Sequence, residues 1–211
     1  MTSAGPDTDA QYAAVSRDFP RPRLTLRAVR AEGWQEFRRI RNHLVQNTLA
    51  GSPLIPKPLR WCLYRISGLK IYSPNVAEQC VMHNGSLKIA RGVFVNRECY
   101  FEGRGRIMIG EDCQIGPQCM FLTSHHDASM VDGRLRIAKP VPRDVVIGAR
   151  VWIGARATFL PGSSVDDDVV IAAGAVVNGH LSHGWLYAGV PAKKIRPIRE
   201  LSSEADPRLP S

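Results

Sequence analysis

Two adjacent histidines are the residues of this sequence best suited to chemistry. His125 and His126 stand together in the segment Thr123-Ser-His-His-Asp127. A histidine ring has an unperturbed pKa of about 6.5, so near neutral pH it can take a proton from a hydroxyl group as a general base. Neighbouring residues on an extended segment point in opposite directions, so we expect only one ring to reach a substrate. We give no catalytic role to the other four histidines, which are His43, His83, His180 and His183.

Cysteine and metal chemistry are less well supported. The five cysteines form an odd set without a C-x-x-C pair, which argues against a disulfide framework and against a structural zinc site. Cys113 and Cys119 fall at positions expected to face inward, where a thiol is usually inert. We therefore expect reduced core cysteines and a chemistry that needs no bound metal.

The chain carries a formal net charge of +9, much of it near its two ends. This charge predicts a negatively charged partner, but charge alone does not choose among nucleic acid, an anionic membrane and a phosphorylated cofactor. No stretch approaches the roughly 20 consecutive apolar residues that span a bilayer. The polar opening of the chain also lacks the layout of a signal peptide, so we predict a cytoplasmic protein.

The first third of the chain has a helical pattern. Residues 1–23 are polar and proline-containing and are predicted to be a mobile arm. Residues 24–68 are predicted to form a helical appendage, with one helix from Glu32 that ends before Gly51 and a second from Pro58 to Ile66. The first helix is expected to be amphipathic, and its apolar face contains Trp34, Phe37, Ile40, Leu44 and Val45.

A period of six replaces the helical pattern in the rest of the chain. Every sixth residue from Ile147 is bulky and apolar, and the positions four further on are mostly small or branched. Such a period predicts short strands separated by turns, with three strands to a coil, so that residues eighteen apart stack in the core. The leading positions are Ile147, Ile153, Phe159, Val165, Ile171 and Val177.

The coils are predicted to occupy residues 69–191. An upstream block repeats the pattern through Ile109 and Ile115. The non-repeating stretch 127–144, directly after the histidine pair, is expected to protrude as a loop. Residues 192–211 are expected to form a basic segment and a tail.

Three separated motifs resemble the hexapeptide-repeat O-acetyltransferases, which include galactoside, maltose and nodulation-factor acetyltransferases. They are Val146-Val-Ile-Gly-Ala-Arg-Val-Trp152-Ile-Gly, Phe159-Leu-Pro-Gly-Ser-Ser-Val165 and Ala188-Gly-Val-Pro-Ala-Lys193-Lys-Ile-Arg196. The resemblance covers roughly residues 69–198. It implies a mainly β fold, a left-handed parallel β-helix, here with an N-terminal α-helical appendage.

The resemblance also implies roles at the catalytic centre. The family carries its catalytic base where the histidine pair lies. His126 follows Asn96 by thirty positions, which is similar to the separation of the family's active-site asparagine and histidine, whereas a T-G-H form of the motif would select His125. Asn96 resembles the asparagine that contacts the acceptor and steadies the transition state. Glu102 lies near the family's acceptor-binding aspartate, but its surroundings depart from the pattern, so we assign it no role.

For the acyl carrier, the resemblance implies acetyl-CoA, bound partly by basic side chains and partly by backbone groups. Asn178 stands where the family has a different residue, so binding is expected to depend more on the basic side chains. The implied contacts are Trp152, Ala155, Ala173, Asn178, Lys193 and Arg196.

The resemblance implies an acetyl-CoA-dependent O-acyltransferase that acts by direct attack on a sugar or glycoconjugate hydroxyl. It implies a homotrimer with sites between subunits and no nucleic acid partner, and it leaves a lipid-linked acceptor and peripheral membrane contact open. An antibiotic or amine acceptor is an alternative. A metal-dependent lyase and a non-catalytic scaffold on the same fold are further alternatives.

Overall fold

The computed structural model describes Gly33, Phe37 and residues 40–83 and 87–199. The chain divides into two compact units, Met1–Arg38 and Arg39–Ser211. In the first unit only Gly33 and Phe37 are described, and both are helical. The predicted arm, residues 1–23, therefore lies outside the described residues.

The second unit is built on three sheets whose strands are parallel within each sheet, apart from one antiparallel strand at the end of sheet 2. Sheet 1 has the order β1 (Lys70–Ile71), β3 (Leu87–Ile89), β6 (Ile107–Ile109), β13 (Val145–Ile147), β16 (Ser164–Val165) and β19 (His180–Leu181). Sheet 2 has the order β4 (Phe94–Val95), β7 (Gln114–Ile115), β14 (Trp152–Ile153), β17 (Val170–Ile171), β20 (Trp185–Ala188) and β21 (Lys193–Pro197). Sheet 3 has the order β2 (Val81–Met82), β5 (Tyr100–Phe101), β8 (Met120–Phe121), β15 (Thr158–Phe159) and β18 (Val176–Val177).

The chain visits sheets 1, 2 and 3 in turn and so winds a prism with three corners. The predicted stacking at a separation of eighteen is confirmed, because Ile147 lies opposite Val165, Ile153 opposite Ile171 and Phe159 opposite Val177. These six side chains are buried, and their neighbours on each strand face outward. The predicted fold class, a left-handed parallel β-helix, is confirmed.

The glycines that follow the leading apolar residues allow successive coils to approach each other. A Cβ atom on Gly154 would lie 2.5 Å from the backbone nitrogen of Ala173 in the next coil. Since that close approach is to backbone, a larger residue would force the coils apart. The Ile-Gly pairs of the repeat are therefore explained by packing at the corners.

Two short helical segments precede the coils. Residues 40–43 are helical and continue as the π-helix Leu44–Leu49, and α1 spans Lys57–Ile66. The apolar face predicted for the first helix does not pack into the core at its described residues, because Ile40 is 64% exposed and Leu44 is 53% exposed. Asn42, Gln46 and Ala50 are buried instead. The Gln46 side chain donates to the Ser67 hydroxyl at 3.1 Å, and the neighbouring Asn47 side chain contacts the backbone of Met82 in the first coil.

Of the free cysteines, Cys80, Cys99, Cys113 and Cys119 are buried in the coils, whereas Cys62 is exposed on α1. The prediction of a core position is therefore wrong for Cys62, which lies on the outer side of a helix whose inward residues are Arg60 and Tyr64. Among the described residues, no helix has the length and apolar character needed to cross a membrane.

Candidate active site

The histidine pair lies where the repeat is interrupted. Residues 122–144 leave the prism after β8 of sheet 3 and return at β13 of sheet 1; we call this segment the excursion. At its base, β9 (Ser124–His125) pairs antiparallel with β12 (Val141–Pro142). Beyond them, β10 (Ala128–Val131) and β11 (Arg134–Ile137) form an exposed hairpin closed by Asp132 and Gly133, both with positive φ.

The His126 ring has a defined hydrogen-bond partner. Its Nδ1 atom lies 2.8 Å from the carbonyl oxygen of Ala138, which follows β11. A carbonyl oxygen only accepts hydrogen bonds, so Nδ1 must carry the proton and Nε2 of the neutral ring keeps its lone pair. The residue is exposed, so the basic nitrogen is accessible to a substrate.

The His125 ring has different surroundings. Its side chain is 35% exposed, and its Nε2 atom lies 3.5 Å from a carboxylate oxygen of Asp127. This nitrogen therefore faces a carboxylate, whereas Nδ1 of His126 faces a backbone carbonyl. The two histidine rings therefore differ in both partner and exposure.

Glu102 holds the chain just before the pair. Its carboxylate accepts hydrogen bonds from the backbone N–H groups of Thr123 at 2.6 Å and Ser124 at 3.1 Å, and from the Ser124 hydroxyl at 2.6 Å. Partial burial acts to raise the pKa of this carboxyl, but these hydrogen bonds outweigh it and keep the pKa below its usual range. Sequence reasoning gave this residue no role.

The other candidates for the catalytic centre and the carrier lie at two corners of the prism. Asn96, Ala155 and Ala173 each follow a strand of sheet 2 and precede one of sheet 3. His125, His126 and Asn178 lie at the corner between sheets 3 and 1. Within one chain, these candidates therefore lie in two groups, one at each of two corners of the prism.

The Asn96 side chain is partly exposed, and its Oδ1 atom accepts the backbone N–H of Arg97 at 2.8 Å. Its amide nitrogen makes no hydrogen bond with any described residue. The backbone N–H groups of Ala155 and Ala173 likewise have no acceptor among residues 40–83 and 87–199. This corner therefore presents a row of available donors.

The remaining carrier candidates lie on sheet 2 and beside it. Trp152 is 60% exposed on the outer face, between Gln114 and Val170. Lys193 and Arg196 are exposed on β21, which pairs antiparallel with β20. Their neighbour Lys194 places its Nζ atom 4.6 Å from the centre of the Trp185 ring.

Cys113 and Cys119 do not suit a nucleophilic role. Cys113 and Cys119 are fully buried, and burial raises the pKa of Cys113 to about 11. A nucleophile needs the thiolate, which is scarce at neutral pH under these conditions. Within the part of the chain that the structure describes, no group of three or more His, Cys, Asp or Glu side chains could hold a metal ion.

Comparisons with known proteins agree with this architecture. Residues 144–179 match the family described as "Bacterial transferase hexapeptide (six repeats)". The chain is 32% identical over 120 residues to the provisionally named lipopolysaccharide biosynthesis O-acetyl transferase WbbJ of Escherichia coli K12. This alignment covers 53% of this chain and 61% of the relative. It is 36% identical over 121 residues to a provisionally named acetyltransferase of Staphylococcus aureus MRSA252, covering 57% and 60%. The chain thus spans about three fifths of the length of these curated relatives.

Solved structures share the fold. A maltose O-acetyltransferase from Clostridium difficile 630 aligns with a TM-score of 0.60 at 23% identity, over 79% of this chain and 89% of that one. A galactoside acetyltransferase in complex with coenzyme A aligns with a TM-score of 0.58 at 20% identity, over 80% and 84%. The coils thus have the fold of these solved structures, and residues 144–179 carry the repeat that the matching family describes.

Proposed function

We propose that this protein is an acetyl-CoA-dependent O-acetyltransferase that acts on a hydroxyl group of a sugar or glycoconjugate. The observation that carries the proposal is the His126 ring, whose Nδ1–H is held by the Ala138 carbonyl so that a basic Nε2 faces solvent. The names of the relatives support an acetyl donor and a saccharide acceptor, and a hexapeptide-repeat acetyltransferase from Vibrio cholerae, with a TM-score of 0.58, has been solved with acetyl-CoA.

In the proposed reaction, His126 Nε2 takes the proton of the acceptor hydroxyl while the hydroxyl oxygen attacks the carbonyl carbon of the thioester. The carbon–sulfur bond then breaks, and the imidazolium returns its proton to the departing sulfur. The products are the O-acetyl ester and free coenzyme A. The free amide donor of Asn96 suits a developing oxyanion, since a positioned donor gains strength as negative charge forms.

The carrier is proposed to lie along the corner between sheets 2 and 3. Unpaired N–H groups at Ala155 and Ala173 match the amide carbonyls of a pantetheine arm, and Trp152 offers an exposed apolar surface nearby on sheet 2. Lys193 and Arg196 are proposed to bind phosphate oxygens, for which ammonium and guanidinium groups are well suited. Asn178 lies at the corner between sheets 3 and 1, so it is proposed as a further polar contact to a carrier bound between two subunits.

A complete site is proposed to form between subunits of a homotrimer. The support for this is the division of the candidates, with the histidines at one corner of the prism and Asn96, Ala155 and Ala173 at another. Rotational packing of prisms would bring one corner of a chain against a different corner of its neighbour. Light scattering that finds an active monomer would remove this part of the proposal.

The test measures thiol release from acetyl-CoA against a panel of glycosides, with His126→Ala and His125→Ala as a matched pair. We expect His126→Ala to lower kcat by about 10²–10⁴, the usual contribution of a positioned general base, with little change in coenzyme A affinity. His125→Ala should have a much smaller effect. If both variants keep nearly full activity, the proposed chemistry is wrong, and if their effects are exchanged, His125 is the base.

A further inference from the structure

The segment Glu102–Arg106 lies directly under the excursion. It joins β5 of sheet 3 to β6 of sheet 1, so it forms the same corner one coil earlier. Its two ends contact the two ends of the excursion. The sequence at this place, Glu-Gly-Arg-Gly-Arg, departs from the family pattern.

At the incoming end, Glu102 uses both carboxylate oxygens. Oε2 accepts the backbone N–H groups of Thr123 and Ser124 at 2.6 and 3.1 Å and lies 3.4 Å from the Thr123 hydroxyl, and Oε1 accepts the Ser124 hydroxyl at 2.6 Å. Thr123 is fully buried. The carboxylate therefore fixes the backbone direction at the residue that precedes the histidine pair.

At the outgoing end, Arg106 contacts Asp144. The backbone N–H and the Nε atom of Arg106 each donate to the Asp144 carboxylate at 2.8 Å, and Nη2 lies 2.6 Å from Oδ2. The two ends are also joined directly, because the Arg143 N–H donates to the Thr123 carbonyl at 2.7 Å. These contacts close the base of the excursion.

Gly105 allows this arrangement. A Cβ atom at Gly105 would lie 2.5 Å from the Arg143 carbonyl oxygen and 3.2 Å from Cβ of Thr123. Any larger residue would push the segment away from both ends of the excursion. The glycine and the two charged residues therefore act as one structural unit.

We propose that Glu102 is a positioning residue, which holds Thr123 and Ser124 so that His126 meets the Ala138 carbonyl and presents Nε2 to the acceptor. This inference rests on the proposed function and deepens it. Both of its oxygens accept hydrogen bonds from the protein, which supports a positioning role, and the test below distinguishes that role from direct contact with the acceptor. Its effect reaches the reaction only through the histidine.

The test replaces the carboxylate by its amide in Glu102→Gln and leaves the rest of the corner intact. One oxygen then remains for the two backbone N–H groups and the Thr123 hydroxyl, and the new NH₂ group can only donate, so the Ser124 hydroxyl must turn to accept from it. We expect kcat to fall about 10- to 100-fold, as for a displacement of the base by a fraction of an ångström to one ångström, while KM for the acceptor and for acetyl-CoA stays within twofold. Ser124→Ala, which removes a single hydrogen bond of 2.6 Å, should also lower kcat, but by a smaller factor. Glu111→Gln, which changes an exposed carboxylate in the following coil, is the matched control and should behave as wild type.

A second readout does not depend on turnover. In ¹⁵N-histidine spectra, wild-type His126 should show the tautomer with the proton on Nδ1, and Glu102→Gln should reduce its share. If the tautomer shifts in a protein that acetylates no acceptor, the positioning role holds and the proposed function fails. A raised KM for the acceptor with unchanged kcat and an unchanged tautomer would overturn the positioning role and make Glu102 a ligand. An unchanged kcat with an unchanged tautomer would overturn it as well.

Discussion

The coils and the helical segment in front of them bury different kinds of side chain. In the coils, the inward positions are apolar, and the rings of Phe101, Phe121 and Phe159 stack with centroids 4.8 and 4.7 Å apart. In the helical segment, residues 40–66, the buried side chains include Gln46 and Arg60, while Ile40, Leu44 and Ile66 point to solvent. Both regions have apolar residues at regular spacing, but only in the coils does that spacing mark the core.

The difference follows from what each region faces. An inward side chain of a coil meets other inward side chains, so burial favours apolar groups. The helical segment meets the open edge of the first coil, where backbone N–H and C=O groups have no neighbouring strand. Asn47 supplies both partners for Met82, accepting its N–H at 2.8 Å and donating to its carbonyl at 3.2 Å.

Arg60 serves mainly the helical segment itself, since three of its four carbonyl acceptors lie within residues 50–55 and the fourth, Val76, lies in the first coil. It is 3% exposed, and its guanidinium donates to the carbonyls of Ala50, Ser52, Ile55 and Val76 at 2.7–3.0 Å. A planar group with five donors can serve several carbonyls at once. The segment thus closes the solenoid with polar side chains, and a repeat protein needs such a cap at each end.

The largest expected effect tests the apolar packing inside the coils. Phe121→Ala removes the central ring of the stack and leaves a cavity, so we expect the free energy of unfolding to fall by about 3–5 kcal/mol. The corresponding fall in Tm is roughly 6–20 °C for a chain of this size. Urea titration measures the change. Met120→Ala, on the outward side of the same strand, is the control and should cost much less.

The sequence predicted the coils well because their side chains obey one local rule. The six leading positions from Ile147 to Val177 are buried as expected, and the second helix, predicted from Pro58 to Ile66, spans Lys57–Ile66. The inward side of the first helix could not be predicted, since helical amphipathicity assumes an apolar partner surface. Nothing in the local pattern indicates that the partner is a sheet edge.

The candidate site could likewise be predicted from the sequence only in part. The histidine pair and the interruption of the repeat were visible in the sequence, and the Asp132-Gly133 turn was a readable sign of the hairpin that was instead predicted as a loop. The partner of His126 was not predictable, because Ala138 meets it only after the excursion folds back across twelve residues. Glu102 is separated from Ser124 by 22 positions, and only the coil geometry brings them together.

The next prediction concerns the largest polar group of the cap. Arg60→Met keeps most of the side-chain volume but leaves buried carbonyls without donors, so we expect a loss of about 2–3 kcal/mol in unfolding free energy. Arg65→Met lies on the same helix with its side chain exposed over Tyr72, and it should cost less than about 1 kcal/mol. Equal losses for the two arginines, measured by urea titration, would mean that buried polar contacts are not what holds the cap.

The smallest effect tests a single edge residue. Asn47→Ala removes one acceptor and one donor from Met82, and we expect a loss of about 1–2 kcal/mol. The structure also predicts where that loss acts: the Met82 amide, which donates only to Asn47, should exchange its hydrogen faster, while amides deep in the coils, such as that of Trp152, should keep their exchange rates. Thr48→Ala changes the next, exposed residue of the same helical segment and should alter neither quantity. If the Met82 amide hydrogen exchanges at the wild-type rate in Asn47→Ala, water forms hydrogen bonds with the strand edge as well as the Asn47 side chain does. The burial of polar side chains in the cap would then need another explanation.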